Sequence, residues 1–363
     1  MRYLPKSTEE LLTWYERYVS PVTLIIGFSL DAFIVRNVDL LGSAFFLFGY
    51  LVIAGSGILL LNLILAGALL GRVWNAAAPF LPVVIQFAFG GLFSGFVILY
   101  SQSAALAVSW IFVVALALLL ISNERFRKLY GRFAFQIGIL FFGLFSFLTF
   151  SLPVLLTRIQ TDTFVVGGVL SIFIIALYVR LIEYFIPALV RENRRTVLSV
   201  IGSIFLLVNV LYFTNAIPPF PLALKEAGVY HSIQKKGDTY VLEEEPRRWY
   251  EFYLRYHKAF HKAPGERVYV FTAVYLPADF SAQIFHQWEY HDKEAGEWIE
   301  SGSYSFPITG GRSGGYRVYT FRQSIAPGKW RVNVRTEDGR IIGRVSFTIV
   351  ATPEPVERVE KLL

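Results

Sequence analysis

Five stretches of this chain contain no Asp, Glu, Lys or Arg: Leu40–Gly71, Val73–Asn123, Phe133–Thr157, Thr163–Val179 and Thr196–Leu224, of 32, 51, 25, 17 and 29 residues. A helix of about 20 residues crosses about 30 Å of hydrocarbon. Several membrane spans are therefore expected, and the longest run must hold two helices with Ser101-Gln102-Ser103 as the polar break between them. With the shorter Pro21–Val35 segment added, about seven spans are predicted, at 20–36, 40–68, 79–100, 104–121, 133–155, 163–187 and 197–214. Composition agrees: 17% of the 363 residues are charged, against about 25% in a soluble domain.

The charges are unevenly placed. Residues 1–218 hold 14 Lys/Arg and 9 Asp/Glu, leaving 20 basic and 18 acidic residues for the remaining 145. Positively charged loops resist translocation, and a cytoplasmic N-terminus puts eleven Lys/Arg in inside segments and only Arg36 and Arg158 in outside loops. An odd number of spans then delivers everything after Thr214 to the far side of the membrane; a re-entrant segment near Pro21 would reverse that end. Glu9, Glu10 and Glu16 interrupt any cleavable signal core. Ser7 and Glu10 form a capping-box pattern ahead of Leu11, Trp14, Tyr15, Tyr18 and Val19. Residues 1–19 thus read as a cytoplasmic helix, either interfacial or packed on its own bundle.

Polar groups within spans are functional hypotheses by default. Asp31 sits near the outer end of the first span, whereas Arg180 and Glu183 lie three residues apart toward the inner end of the sixth, where they can neutralise each other. Asn62, Gln86 and Gln136 are isolated amides suited to joining helices. So thin a set of intramembrane carboxylates argues against a pump. Gly67/Gly71, Gly91/Gly95 and Gly167/Ser171 are small residues at four-residue spacing, which permit close helix approach within the bundle or across a homo-oligomer seam.

Pro218, Pro219 and Pro221 cannot continue a helix, so residues 215–225 read as a linker between the bundle (20–214) and a second domain over 226–350. Beyond it the periodicity becomes two. Trp330, Val332 and Val334 face away from Lys329, Arg331, Asn333 and Arg335; Glu337-Asp338-Gly339 reverses the chain, and Val345, Phe347 and Ile349 alternate in the next strand, with Gly343 marking a bulge or a close backbone approach. Further strands are readable at 267–275, 282–291, 297–306 and 315–322. The fold class is a multi-domain membrane protein: a helical transmembrane bundle followed by an all-β, immunoglobulin-like sandwich. The aromatic, charged run Pro246–Phe260 is a further strand or a short helix, and the tail 351–363 frays or forms one short helix.

The chain has no cysteine, which removes disulfides and Cys-ligated metals. Of its +7 charge, 14 − 9 = 5 lies in residues 1–218 and only 20 − 18 = 2 in the rest, so the near-balanced β half gives no sign of nucleic-acid binding. The motifs Arg267-Val-Tyr-Val-Phe-Thr272, His286-Gln-Trp288-Glu-Tyr290, Gly310-Gly-Arg312-Ser-Gly-Gly-Tyr316-Arg317 and Pro327-Gly-Lys-Trp330-Arg331-Val resemble a bacterial domain-of-unknown-function family. That resemblance covers about a quarter of the chain, residues 267–350. It implies a bacterial inner-membrane protein carrying a C-terminal periplasmic domain, and it implies no activity.

Three constellations have both functional and bland readings. Gly311-Arg-Ser313-Gly-Gly315 has the letters of a nucleophile elbow, but strand-like segments flank it on both sides where an elbow needs a helix after it. It reads as a turn that, beside Arg312 and Arg317, could cradle an anion on its backbone N–H groups. His286, Trp288 and Tyr290 alternate onto one strand face, either as satisfied core groups or as an aromatic platform for a sugar or peptide. His257 and His261 lack a third metal ligand. The reading is a binding module for an envelope component, a periplasmic protein, glycan or lipid headgroup, contacted through His286, Trp288, Tyr290, Arg312, Tyr316 and Arg317, without catalytic residues, metal or cofactor. The alternatives are a membrane-embedded enzyme or transporter for a lipid-linked substrate, with Asp31 as its best residue, and a structural subunit of a membrane complex.

Overall fold

The structure is a computed structural model that describes residues 26–29, 31–33, 40–102, 106–123, 129, 131–237, 239–246, 258–312 and 314–363. The helix expected over 1–19, most of the 20–36 span, Arg36, Arg125, Arg127, Lys128, the run 247–257 with its His257, and Ser313 lie outside the described residues. Apart from 103–110, the chain divides between Ile217 and Pro218 into a helical unit and an all-β unit.

In the helical unit, 26–29 and 31–33 are helical and precede α1 (Leu40–Leu65), α2 (Arg72–Ala77), α3 (Leu81–Gln102), α4 (Leu106–Asn123), α5 (Phe133–Leu156), α6 (Thr161–Phe185) and α7 (Pro187–Phe213). Among the described residues, five helices are long and apolar enough to cross a membrane: α1, the 72–101 stretch ending in α3, α5, α6 and α7. Helices win here because turn chemistry is sparse in the charge-free runs, and each helix closes its own backbone hydrogen bonds. They end where that chemistry returns: Gly67 at φ 71° follows α1, and Thr157 at φ 51° caps α5.

The α6–α7 pair departs from the expected boundaries. A loop was expected at 188–196, but α7 begins at Pro187, with Ile186 at φ −136° as the only break after α6. Proline forces its predecessor out of the helical region and then serves as the first helical residue. The two helices double back, since Phe164 near the start of α6 stacks on Tyr212 near the end of α7 at 3.5 Å. Arg180, Glu183, Arg191, Glu192, Arg194 and Arg195 therefore cluster on the turn end of a helical hairpin.

Small residues set the helix spacing. A Cβ at Gly91 would lie 2.2 Å from the Tyr50 ring and one at Gly95 would lie 2.4 Å from Leu47, both on α1; Gly167 faces Leu148 and Leu152 of α5. These two pairs are thus occupied within the bundle. The third, Gly67/Gly71, lies in the turn after α1 with φ of 71° and 148° and forms no helix face.

The β unit has more strands than sequence periodicity suggests: β1 (Ala223–Tyr230), β2 (Ser232–Lys236), β3 (Thr239–Glu244), β4 (Ala259–Lys262), β5 (Val268–Tyr275), β6 (Ser281–His291), β7 (Trp298–Thr309), β8 (Tyr316–Arg322), β9 (Gly328–Thr336), β10 (Ile341–Ala351) and β11 (Val359–Leu362). They form three sheets, ordered β1-β5-β8, β4-β10-β9-β6-β7 and β11-β3-β2. β1 starts inside the expected linker, and the tail is neither frayed nor helical: β11 pairs with β3 from Val359↔Glu244 to Leu362↔Val241. The β9–β10 hairpin turns at Gly339 (φ 81°) as expected. Gly343 fulfils the bulge reading, since the register slips between Ile341 and Gly343, and what fills the space over it is the Leu224 side chain, 2.3 Å from where a Cβ would lie.

Gly91→Leu should force α1 from α3 and destabilise the bundle by about 1–3 kcal/mol, as overpacking does. Gly49→Ala, with nothing within 4 Å of the added carbon, should be neutral; thermal midpoints in detergent separate the two.

Candidate functional site

His286 and Trp288 are fully buried, because their strand face packs against the β1-β5-β8 sheet. His286 Nε2 lies 2.8 Å from Thr272 Oγ1 on β5, His286 Nδ1 lies 3.1 Å from Thr320 Oγ1 on β8, and Trp288 Nε1 donates to that same Thr320 oxygen at 3.0 Å. Each ring nitrogen thus meets a threonine hydroxyl that can either donate or accept, so a neutral imidazole is satisfied on both sides. Burial drives the imidazole pKa down to about 3, so the ring is neutral at ordinary pH. The expected ligand platform is corrected accordingly: His286 and Trp288 are a polar clasp between two sheets, and half-buried Tyr290 packs on Trp330 at 5.6 Å.

The glycine turn joins two strands, β7 and β8, which fits a turn and excludes the elbow. Three of its backbone N–H groups, expected as part of an anion cradle, are engaged within the β unit. Gly310 N–H donates to Phe280 O, Gly311 N–H to Leu276 O and Gly315 N–H to Arg312 O. The glycines serve close packing, since a Cβ at Gly310 would lie 1.6 Å from Pro277 O. Arg312 is exposed over the Tyr316 ring at 5.2 Å, while Arg317 lies over Tyr240 at 5.8 Å and donates to Leu363 O at 3.2 Å. Arg317 thus holds the tail.

In the helical unit, buried Asp31 accepts a hydrogen bond from Tyr50 at 3.2 Å. Arg180 and Glu183 pair at 2.9 Å with side chains 77% and 31% exposed, so they neutralise each other at the hairpin tip and do not meet Asp31. Asn62 donates to Gln136 across α1 and α5 at 2.6 Å, and Asn123 donates to the Gln86 carbonyl at 2.8 Å. The Asn62 and Gln136 amides thus join helices as expected, while Gln86 is met by Asn123 on its backbone carbonyl.

An open groove escaped the sequence reading. It has a volume of about 660 Å³ and is lined by Ser303, Tyr304, Ser305 and Phe306 of β7 and by Tyr319, Thr320 and Phe321 of β8. Both strands are the outer edges of their sheets. Tyr304 pairs with His286 and Phe306 with Ile284; directly paired residues share a face, so Tyr304 points to the core side, yet it stays 40% exposed. No described strand closes the sandwich there. Tyr319 (40%) and Phe321 (45%) add exposed aromatic surface. The signal in the sequence was Ser303-Tyr-Ser-Phe306, small polar residues alternating with aromatics, but which strands form edges is decided by topology.

A charged cluster was also missed. His231, between β1 and β2, lies 2.7 Å from Glu266 and 3.4 Å from Glu245; the His261 ring and backbone N–H each reach Glu245 at 2.8 Å. Arg358, just before β11, contacts Glu266 at 2.5 Å and Glu243 at 3.2 Å. Burial pushes the Glu245 carboxyl up, but hydrogen bonds from His231 and from the backbone and ring of His261, with the latter's charge, outweigh it and bring the pKa down to about 2. His261 is therefore a carboxylate partner, and among the described residues no group of three or more His, Cys, Asp or Glu could hold a metal.

Residues 281–349, from β6 through most of β10, match a family described as "Protein of unknown function (DUF2914)". No curated protein matches the chain. Among solved structures, Pseudomonas fluorescens alkylpurine DNA glycosylase AlkC bound to DNA containing an abasic site analog aligns at 9% identity over 77% of this chain and 82% of that one. Its TM-score of 0.23 is too low to carry any argument on fold or function.

Acid should weaken the β unit in two windows. A histidine held neutral stabilises fully above its free value of 6.5 and loses that contribution as pH falls toward about 3. A carboxylate held ionised stabilises fully above 4.5 and loses it as pH falls toward about 2. Stability of the full chain measured against pH should lose the upper window in His286→Gln and the lower one in Glu245→Gln.

Proposed function

We propose that this is a seven-span bacterial inner-membrane protein whose C-terminal, immunoglobulin-like β-sandwich stands in the periplasm as a docking module for an envelope component. The observation that carries the reading is the open aromatic groove between β7 and β8, since an exposed apolar patch rimmed by polar residues marks an interaction site. Its volume of about 660 Å³ lies in the range of specific ligand sites. The residues assigned to contact move with it: Tyr304, Tyr319 and Phe321 replace the buried His286 and Trp288. The eleven-to-two partition of Lys and Arg supports a cytoplasmic N-terminus and an outside β unit. Anchoring to the bilayer then holds the module at high local concentration for partners in the same compartment.

The chain has no natural cysteine, so a single introduced thiol reports one position. In intact spheroplasts a membrane-impermeant thiol reagent should label Lys293→Cys and leave Glu192→Cys untouched; the reverse pattern would overturn the topology. A photoreactive residue at position 304 should give a discrete cross-linked adduct in cells, and the same residue at Lys293 should not. Equal adducts at both positions, or none at 304, would remove the groove as the docking surface.

A further inference from the structure

We propose that the occupant of the groove is an extended, acidic segment of a partner protein that adds as a strand to the free edge of β7; this rests on the docking reading above. The β7 edge is open to pairing. Pro307 lies in β7 opposite Gln283, and a proline, having no N–H to donate, fits a ladder only with its nitrogen turned away from the neighbouring strand. Residues two apart in a strand point their backbone groups the same way, so Ser303 and Ser305 also direct N–H and C=O away from β6. Both line the groove. An added strand would find about four main-chain hydrogen bonds there and would cover Tyr304, the core-side residue that β7 leaves exposed.

The charge of the occupant follows from the arginines. Arg322, at the end of β8, lies over the rings of Trp288 at 5.8 Å and Tyr304 at 5.9 Å and donates to Ser301 Oγ at 2.9 Å and Ser301 O at 2.7 Å. Gly302 makes room for it: at φ 157°, a Cβ there would lie 2.2 Å from Arg322 Nη2. Arg267 is exposed over the Phe321 ring at 4.9 Å. Neither arginine pairs with a carboxylate among the described residues. Nearby acids are engaged or turned elsewhere: Glu300 accepts from Gln287 at 2.5 Å, and Glu337 shares a separate depression with Ser303 and Arg335. A half-buried guanidinium without a counter-ion favours a partner that brings one. Aromatic walls, a free ladder and unpaired cations together fit alternating acidic and apolar residues in an extended chain.

The test uses the full chain in detergent and three labelled synthetic peptides: alternating glutamate and valine, the same peptide N-methylated at alternate amides, and a version with lysine for glutamate. Fluorescence anisotropy should show binding of the first alone, weakening as salt rises. Ser305→Pro removes one outward N–H without touching the β6–β7 ladder and should weaken binding about tenfold; Arg267→Glu, on an exposed position, should do the same and serves if the proline variant does not fold. Equal binding of the N-methylated or lysine peptide, no peptide binding, or unaffected variants overturns strand addition. A neutral oligosaccharide bound in its place, or self-association blocked by Ser305→Pro, overturns it too. If adducts at position 304 persist while the peptides fail, docking stands and the strand mode falls; loss of both removes both.

Discussion

Every backbone N–H and C=O must find a partner, and the two halves of this chain meet that requirement in opposite ways. In the first half the charge-free runs supply few turn residues and few side-chain acceptors, so each segment closes its hydrogen bonds on itself as a helix. In the second half the bonds run between strands, and completeness then depends on topology. The three sheets end on six edge strands, β1, β8, β4, β7, β11 and β2, and the groove forms where the β7 and β8 edges come together. The exposed Tyr304, the groove and two arginines that meet no carboxylate among the described residues all lie at that one opening.

Polar side chains hold the β unit where its layers meet. His286 reaches β5 and β8 through two threonines, while His231, His261, Glu245, Glu266 and Arg358 tie the ends of β1, β3, β4 and β11 together. Without disulfides, these hydrogen-bonded networks fix the relation of the sheets. Glycine makes comparable demands in the helical unit, where Gly91 and Gly95 admit the side chains of Tyr50 and Leu47.

The sequence errors share a cause. Strands with strict alternation, such as β9 and β10, were legible, whereas β1 to β4 and β11 were not, because β1 is buried on both faces and the others are only four to six residues long, too short to carry a period-two signal. The Ile186–Pro187 break was misplaced because the Arg191–Arg195 charges look like a loop although they sit in the first turns of a helix. His286 and Trp288 were singled out for chemistry that burial silences. Side-chain type shows what a residue can do, but not whether solvent reaches it.

Sequence alone determined that the first half is apolar and helical, that the second is all-β, that the chain changes character near its three prolines, and that no thiol takes part. Those properties are local: charge-free length, alternation and residue type act within one segment. Tertiary structure alone decided which strands are edges, where the histidines are buried, and which arginines lack a counter-charge. Those depend on contacts between residues far apart in the chain, as when Thr320 meets His286 and Arg358 meets Glu266, and no periodicity records such meetings.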